Sequence, residues 1–393
     1  MKSKSKKVQK YSLGTRILTA FLAVVLTLAL LEAYCRVFSP APIKNKFRFS
    51  FSKKEALVSK SSLNLDLKLP AEIPDHLNIP VGVPVKSHLL GATVDPIQNL
   101  RTGFPVERIE QMTRVLEDGR ILFDVKMKKG KDGFRITPSS GMGEPQYYAL
   151  FFGCSFAFGE GVQDHQTLPY YFQQLGEGKL GTPVRSKNYA HSAWGTAQFW
   201  KVVHEVPPPA AILEAPQRIA FYVMIDHHFE RLRGAYSIAR DYPDWVGNTP
   251  YIAEDWTGQI VDRGYFRDSF KLALFRFLSG SKLFYTMNLG PAAWEVTDSE
   301  LEFFSKVVAS AQQKLKADWK VDEFYTVVLP QNDKGHAAVP YLNRLGVKTL
   351  DLSKFDLQAR MKVPAYLPDR HPSAEGQRYL AGILLDAVRR DLK

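Results

Sequence analysis

Cysteine is scarce in this chain, whose 393 residues include only two, Cys35 and Cys154. Cys35 lies at the end of an apolar N-terminal segment, and Cys154 lies where a strand-like run gives way to a turn. These positions do not favour pairing with each other. The cysteine count therefore indicates neither a disulfide framework nor a cysteine-based zinc site.

Acidic residues are also few relative to basic ones, and the formal net charge is +12. Half of that excess lies in the first sixteen residues, which contain no Asp or Glu and carry Lys2, Lys4, Lys6, Lys7, Lys10 and Arg16. No basic patch interleaved with aromatic residues follows, so nucleic acid is not an expected partner. The remaining positive charge would favour an anionic lipid or polysaccharide.

A long uncharged run, Ile17 to Leu31, follows the basic tail of residues 1–16. Weak apolar character continues to residue 38, and a membrane span needs about 20 residues. We therefore predict a transmembrane signal anchor over residues 17–38, in contact with inner-membrane lipid. Because the basic cluster precedes the span, the N-terminus is expected in the cytoplasm and the body outside it, in the periplasm if the source is bacterial.

A cleaved signal peptide is the alternative interpretation of the same segment. Such a peptide ends in a small-x-small cleavage site, and the large or charged residues Glu32, Tyr34 and Arg36 interrupt any such site here. The sequence therefore favours an uncleaved anchor.

Residues 39–145 are predicted to form a spacer with a few short strands, because repeated prolines between Pro40 and Pro96 exclude long helices. Apolar residues alternate from Ile121 to Met127, and a Gly/Asp turn at 131–133 separates them from Phe134 to Ile136. This pattern predicts a β-hairpin.

Residues 146–393 have the alternating strand and helix pattern of an α/β domain. Runs that are apolar on both faces alternate with helical patterns, which predicts a mostly parallel sheet covered by helices on both sides. Ligands of such folds bind beyond the carboxyl ends of the strands, where Gly153, Cys154 and Ser155 lie. An aromatic-rich insertion at 230–300 is expected to add core and could also cap this site. The strand-like runs are 147–152, 184–190, 218–225, 324–329 and 347–352, and the helical patterns are 167–175, 300–315 and 373–392.

A serine at a strand end becomes a nucleophile only when a base takes its proton and a third group orients that base. Near the C-terminus, Asp369 precedes His371 by two residues, and Ser373 is a good N-cap for the last helix. His371 is therefore placed on a loop just before that helix. The sequence predicts that Ser155, His371 and Asp369 act together.

Four further stretches are informative together: GCSFAFGEGV (153–162), NYAHSAWGTAQ (188–198), FYVMIDHHFERL (221–232) and DRHPSAEG (369–376). In order and spacing, over roughly residues 145 to 393, they resemble the SGNH hydrolases, also called GDSL esterases and lipases. The anchor and the segment DGFR (132–135) resemble the membrane-anchored members of that superfamily. The resemblance implies a three-layer α/β sandwich with a flavodoxin-like sheet.

The resemblance implies a role for each matching residue. Ser155 would be the nucleophile, His371 the base and Asp369 its orienting group, while the backbone N–H groups of Ser155 and Ala193 would form the oxyanion hole. Gly153, Asn188 and Gly195 would support these loops.

Three positions depart from the family pattern. Cys154 replaces the aspartate of G-D-S. Ala193 replaces a glycine; this replacement keeps the backbone N–H donor but leaves less space for the substrate. The family's asparagine donor is replaced by Asp226 or His227. An ionised Asp226 can only accept a hydrogen bond, whereas His227 can donate one.

Other interpretations of the same residues stay open. Cys154 could be the nucleophile, although no charge that would stabilise a thiolate stands nearby in sequence. The residues Asp226, His227, His228 and His191 could hold a metal, although their spacing matches no known metal-binding helix motif. Arg231 could bind an anionic substrate or pair with a nearby acid.

The leading hypothesis is a serine esterase that cleaves an O-acyl ester, such as an acetyl ester, of a glycan or lipid without a cofactor or metal. An O-acyltransferase of an exported polysaccharide, working with a membrane acyl-donor protein, is the first alternative. An anchored, non-catalytic binding protein is the second, since a fold alone does not determine activity.

Overall fold

The computed structural model describes residues 13–38, 85–86, 107–116, 120–139, 143–236, 246–279, 281–286 and 296–391. Most of the predicted spacer, the basic tail before residue 13 and parts of the aromatic-rich insertion lie outside these ranges.

A five-stranded parallel sheet forms the centre of the molecule. Apolar runs build its strands, and the side chains of the central strands are buried on both faces. The strands are β4 (Tyr147–Gly153), β5 (Val184–Asn188), β6 (Gln217–Met224), β9 (Glu323–Val328) and β10 (Lys348–Asp351). Their order in the sheet is β10-β9-β6-β4-β5, with every neighbouring pair parallel. This is the flavodoxin-like order, in which the chain reverses direction across the sheet after its second strand.

Helices cover both faces of this sheet, so the predicted three-layer α/β sandwich is confirmed. On one face, α3 (Leu168–Leu180) packs against α11 (Ala374–Asp391) over a core that includes Phe172 and Leu384. On the other face, α9 (Asp298–Asp318) packs against α4 (Thr196–Glu205) and α10 (Asp333–Arg344). Shorter helices connect these elements: α2 (Ser155–Phe158), α5 (Ala210–Glu214) and α6 (His227–Arg233).

A small antiparallel sheet precedes the sandwich, in the order β1 (Val85–Lys86), β2 (Arg108–Leu116) and β3 (Ile121–Lys129). The prediction that β3 forms a hairpin with residues 134–136 is largely wrong, because β3 pairs along its length with β2. Only one bridge, from Lys129 to Arg135, joins it to the segment after the turn. At this bridge the side chain of Arg135 is buried against residues of the sandwich.

The N-terminal helix α1 (Leu13–Phe38) contains the stretch Ile17–Val37, which is apolar and long enough to cross a membrane. Within the insertion, a hairpin of β7 (Pro250–Glu254) and β8 (Ile260–Tyr265) is followed by α7 (Phe270–Ser279) and α8 (Lys282–Thr286). The insertion contacts both the sandwich and α1: Asp262 pairs with Lys201 of α4, and Ser281 donates a hydrogen bond to Glu32. A capping role for this insertion stays a prediction.

Candidate active site

Ser155 lies directly beyond the carboxyl end of β4, at the first residue of α2. The chain turns sharply at Gly153, whose φ is 145°, and a Cβ there would lie 2.5 Å from the carbonyl oxygen of Val223 on β6. Only glycine fits this combination of backbone conformation and close approach. The turn places Ser155, 7% exposed, at the rim of the sheet.

His371 reaches Ser155 from the loop before α11. Its Nε2 atom lies 2.8 Å from Oγ of Ser155, across 216 positions of sequence. Two contacts hold the loop: the N–H of Leu367 donates to the carbonyl of His371 at 2.7 Å, and Ser373 caps α11 by accepting from the N–H of Gly376 at 3.1 Å. The predicted N-cap is thus confirmed.

Asp369 lies on the far side of the imidazole. Its Oδ2 atom is 3.0 Å from Nδ1 of His371, so the two groups form an ion pair whenever the imidazole is protonated. Its Oδ1 atom accepts the backbone N–H of His371 at 3.2 Å. The structure therefore brings Ser155, His371 and Asp369 into one chain of contacts.

Two residues that the sequence did not point to complete this arrangement. Arg114 of β2 donates to the carboxylates of both Asp369 and Glu160, and all three side chains are buried. The other oxygen of Glu160 accepts from Oγ of Ser192 at 2.6 Å. We call Arg114, Glu160 and Asp369 the buried ion cluster. Carboxylate oxygens of Glu160 and Asp369 and a ring nitrogen of His371 lie within 4.8 Å of one another, a spacing that a cation would fit, but the guanidinium already bridges the two carboxylates.

This cluster raises the proton affinity of His371. Burial lowers the pKa of His371, but the carboxylates of Glu160 and Asp369 outweigh burial and raise that pKa above its ordinary value. Burial raises the pKa of Asp369, but the charge and hydrogen bonds of His371, together with Arg114, lower it well below the usual range of a carboxyl group. At neutral pH, Asp369 is therefore an anion that can orient and stabilise an imidazolium.

The loop after β5 carries the second group of predicted residues. Ala193 has φ 66°, in the left-handed region that favours glycine, which is the residue that the SGNH pattern has there. Asn188 fixes the loop, since its Oδ1 accepts the N–H of Ala190 at 3.0 Å and its Nδ2 reaches the carbonyl of Phe158 at 3.3 Å. Gly195 is the N-cap residue of α4, and its N–H donates to Oε1 of Gln198 at 3.0 Å.

Asp226 and His227 are engaged elsewhere. Oδ1 of Asp226 accepts the N–H of Gly335 at 3.0 Å, and Nδ1 of His227 lies 3.0 Å from Glu230, with the ring 56% exposed. In the part of the chain that the structure describes, neither side chain forms a hydrogen bond or ion pair with Ser155 or His371. A third oxyanion donor from these side chains stays a prediction.

The remaining candidates also have specific partners. Cys154 is fully buried in the core, and burial raises the pKa of its thiol, which disfavours a nucleophilic thiolate. His228 contacts the hydroxyl of Tyr222 at 2.7 Å, whereas His191 contacts Nζ of Lys129 at 3.3 Å.

The DGFR segment has a clear structural task. Arg135 is 1% exposed, and its guanidinium donates to the carbonyls of Phe158 and Gly159 and to that of Val162, at 3.1, 2.7 and 2.7 Å. It also pairs with Asp164 at 2.7 Å. Arg135 thus holds the whole turn that follows Ser155.

No family model and no curated protein matches this chain. Solved structures that are similar to it include a lipolytic protein of the G-D-S-L family from Veillonella parvula DSM 2008, with 11% identity and TM-score 0.33 over 61% of this chain and 97% of that one. The lipase/acylhydrolase from Enterococcus faecalis has 9% identity and TM-score 0.35 over 62% of this chain and 96% of its own. A putative lipolytic protein of the G-D-S-L family from Desulfitobacterium hafniense DCB-2 has 11% identity and TM-score 0.32 over 61% and 98%. At such low identities and TM-scores, these likenesses decide nothing about the chemistry of this chain.

Proposed function

We propose that this protein is a serine esterase that uses Ser155, His371 and Asp369 to cleave an O-acyl ester of a glycan or lipid. One observation carries the proposal: a buried serine at the carboxyl end of a central strand lies 2.8 Å from an imidazole, whose other nitrogen lies 3.0 Å from a buried carboxylate. A strand-end serine without a chemical task would not need this constellation.

The reaction would proceed in two steps. Oγ of Ser155 attacks the ester carbonyl while Nε2 of His371 takes the hydroxyl proton, and the proton then passes to the departing alcohol as its C–O bond breaks. Water next attacks the acyl-serine, with His371 taking a proton from it, and the carboxylic acid leaves with Ser155 restored. The anionic oxygen of each tetrahedral intermediate would be held by the N–H groups of Ser155 and Ala193, and removing one such donor typically costs about 10²–10³ in rate.

The buried ion cluster supports this chemistry from the side of the His371 ring that faces away from Ser155. Arg114 bridges Glu160 and Asp369 and offsets part of their negative charge beside His371 in a buried site. Through Ser192, Glu160 also contacts the loop that carries Ala193. One network therefore positions both the base and an oxyanion donor.

The same acyl-enzyme could pass its acyl group to a sugar hydroxyl in place of water. In that case the protein would be an O-acyltransferase and would need a membrane partner that supplies the acyl donor. Hydrolysis needs no such partner and is the activity that we propose.

We infer that α1 anchors the protein with its N-terminus in the cytoplasm and its esterase domain on the other side, the periplasm in a bacterial cell. The apolar stretch Ile17–Val37 and the preceding basic residues support this orientation. Protease treatment of right-side-out membrane vesicles tests it, because the domain should be digested without lysis. Protection until lysis would contradict the inferred orientation.

The direct test of the activity is hydrolysis of p-nitrophenyl acetate by the full chain in detergent, together with labelling by a fluorophosphonate probe. Ser155→Ala should abolish both signals. Ser353→Ala is the matched control, since Ser353 is also a buried serine just beyond a strand of the same sheet. If the unmodified protein neither turns over the ester nor reacts with the probe at Ser155, the esterase proposal is wrong and the binding-protein hypothesis replaces it.

A further inference from the structure

Helix α7 has apolar residues on its outer face as well as on its inner face. Phe270, Leu274 and Phe277 are 82%, 39% and 78% exposed, and Ala273 is exposed with them. These four positions follow the i, i+3, i+4, i+7 spacing of one helix face. We call them the α7 stripe. The opposite face is occupied by Leu272, which is buried among the insertion's own apolar residues.

An exposed stripe of this kind is unusual for a helix that faces water. A surface helix normally turns charged and polar residues outward, and a contiguous apolar face indicates a surface that another apolar phase covers. Here the helix contains no Asp or Glu and carries the exposed Arg276, whereas Lys271 donates to the carbonyl of Arg233. An apolar face with cations and no anions suits the boundary between acyl chains and anionic headgroups.

The C-terminal end of α7 leads directly into residues that contact the anchor α1. Glu32 of α1 accepts hydrogen bonds from Oγ of Ser281 at 2.6 Å and from the backbone N–H groups of Lys282 and Leu283, both at 2.8 Å. Ser281 lies two residues beyond the end of α7. These three contacts hold the C-terminal end of α7 at the level of residue 32 in the apolar stretch Ile17–Val37.

Distance along α1 places that level near the membrane surface. Glu32 is five residues from Val37, the last residue of the apolar stretch, which corresponds to about 8 Å at 1.5 Å per residue. The ion pair between Glu32 and Arg36, 2.8 Å long, likewise belongs at an interface and not in the acyl core.

We propose that the α7 stripe inserts into the headgroup and acyl-chain boundary of the bilayer that α1 spans. This inference depends on α1 being a membrane span and is independent of the esterase activity. Lipid is the occupant that we favour over a partner protein or a second copy of this chain, because the residues that follow α7 are hydrogen-bonded to the anchor near the end of its apolar stretch. Helices α1 and α7 would then hold the domain against the membrane at two points.

The first test measures the depth of α7 in the full chain, with one molecule in each nanodisc of phosphatidylcholine and phosphatidylglycerol. Phe277→Cys is labelled with an NBD fluorophore, and Leu345→Cys, at an exposed apolar residue that follows α10, is the control. The native thiols of Cys35 and Cys154 are buried, so labelling is selective for the introduced cysteines. We expect lipid-borne doxyl groups to quench the label at 277 several-fold more than at 345, and aqueous iodide to show the reverse order.

Equal quenching by doxyl lipid at the two positions would refute the proposal. Strong iodide quenching at 277 would mean that the stripe stays in water until a protein covers it. Shielding from both quenchers would mean that α7 repacks on its own chain. Failure of the chain to float with lipid vesicles would refute the anchor on which the inference depends. Each of these results overturns lipid as the occupant.

Two triple variants separate insertion from a folding defect. In the stripe variant the three large residues of the α7 stripe become serine, and in the control variant three other exposed apolar residues do. Both carry the NBD label at Ala273→Cys, in the middle of the stripe. Circular dichroism and esterase activity should be unchanged in both variants, and doxyl quenching should fall several-fold only when the stripe itself is made polar. Retained quenching in the stripe variant would contradict the proposal. The stripe variant is Phe270→Ser/Leu274→Ser/Phe277→Ser, and the control variant is Leu213→Ser/Leu345→Ser/Val363→Ser, whose three residues are 40%, 44% and 39% exposed.

Discussion

Removing the positive charge of Arg114 should destabilise the fold and shift the pH dependence of the reaction in a defined direction. Arg114→Met keeps most of the side-chain stem but leaves the carboxylates of Glu160 and Asp369 without the cation between them. The side chains of Arg114, Glu160 and Asp369 are only 9%, 4% and 5% exposed, so water cannot replace the lost partner. Breaking a buried ion pair in this way costs about 3–5 kcal/mol.

The pH profile gives a sharper test than stability alone. The charge of Arg114 lowers the pKa of His371, whereas the charge of Glu160 raises it. Because the base must be neutral to accept the serine proton, the acid limb of kcat/KM should move to higher pH in Arg114→Met. It should move to lower pH in Glu160→Gln. A general packing defect would not shift the limb in opposite directions.

The assay combines thermal unfolding of the full chain in detergent with kcat/KM for p-nitrophenyl acetate between pH 5 and 9. Arg263→Met, which removes an exposed arginine from a strand, should leave both measurements unchanged. Arg114→Met/Glu160→Gln should recover part of the lost stability, since it leaves one buried carboxylate without the cation instead of two. If Arg114→Met unfolds at the temperature of the unmodified protein and keeps its acid limb, the buried ion cluster does not have the role assigned to it.

Three further predictions follow from the site. The acid limb of the unmodified enzyme should lie above pH 6.5, because the pKa of His371 is raised. The raised pKa of His371 also stabilises the folded protein fully below the unfolded-state pKa, and this stabilisation is lost as pH rises through the folded-state pKa. The unfolding free energy of His371→Gln should therefore approach that of the unmodified protein at high pH. A difference that stays constant with pH would contradict this. Ala193→Gly should raise the unfolding free energy by about 1 kcal/mol, because φ 66° costs alanine more than glycine; a loss of stability in thermal unfolding would refute the strain. Arg135→Lys should lower stability by about 2–3 kcal/mol and slow fluorophosphonate labelling, since an ammonium cannot reach the carbonyls of residues 158, 159 and 162 together; unchanged labelling would show that the turn after Ser155 does not need this clamp.

The sheet was predictable because its strands carry an obvious signal. Buried strands of a parallel sheet are apolar on both faces, and runs such as Tyr147–Gly153 have no other good interpretation at that length. Ser155 and His371 were predictable for a related reason: the end of a strand and the loop before a final helix are positions that topology brings to one edge of the sheet.

Arg114 and Glu160 could not be found in the same way. Arg114 comes from β2, in a region whose composition predicts a spacer, and its partner Asp369 lies 255 positions away. Such a contact depends on how the small sheet packs on the sandwich, and no local periodicity encodes that packing. Glu160 lies within the first SGNH-like stretch, but one carboxylate in a glycine-rich turn is an ordinary solvated residue until the structure shows it buried.

The long sequence separation within the site has a consequence for biosynthesis. Ser155 contacts a histidine 216 positions further along the chain. Domains fold as units during synthesis, and contacts between distant residues form after the intervening chain has been made. A nascent chain that has not yet been extended to residue 371 therefore carries its serine without a base. The site can assemble only after His371 has left the ribosome, so translation products that end before this residue should be inert toward esters.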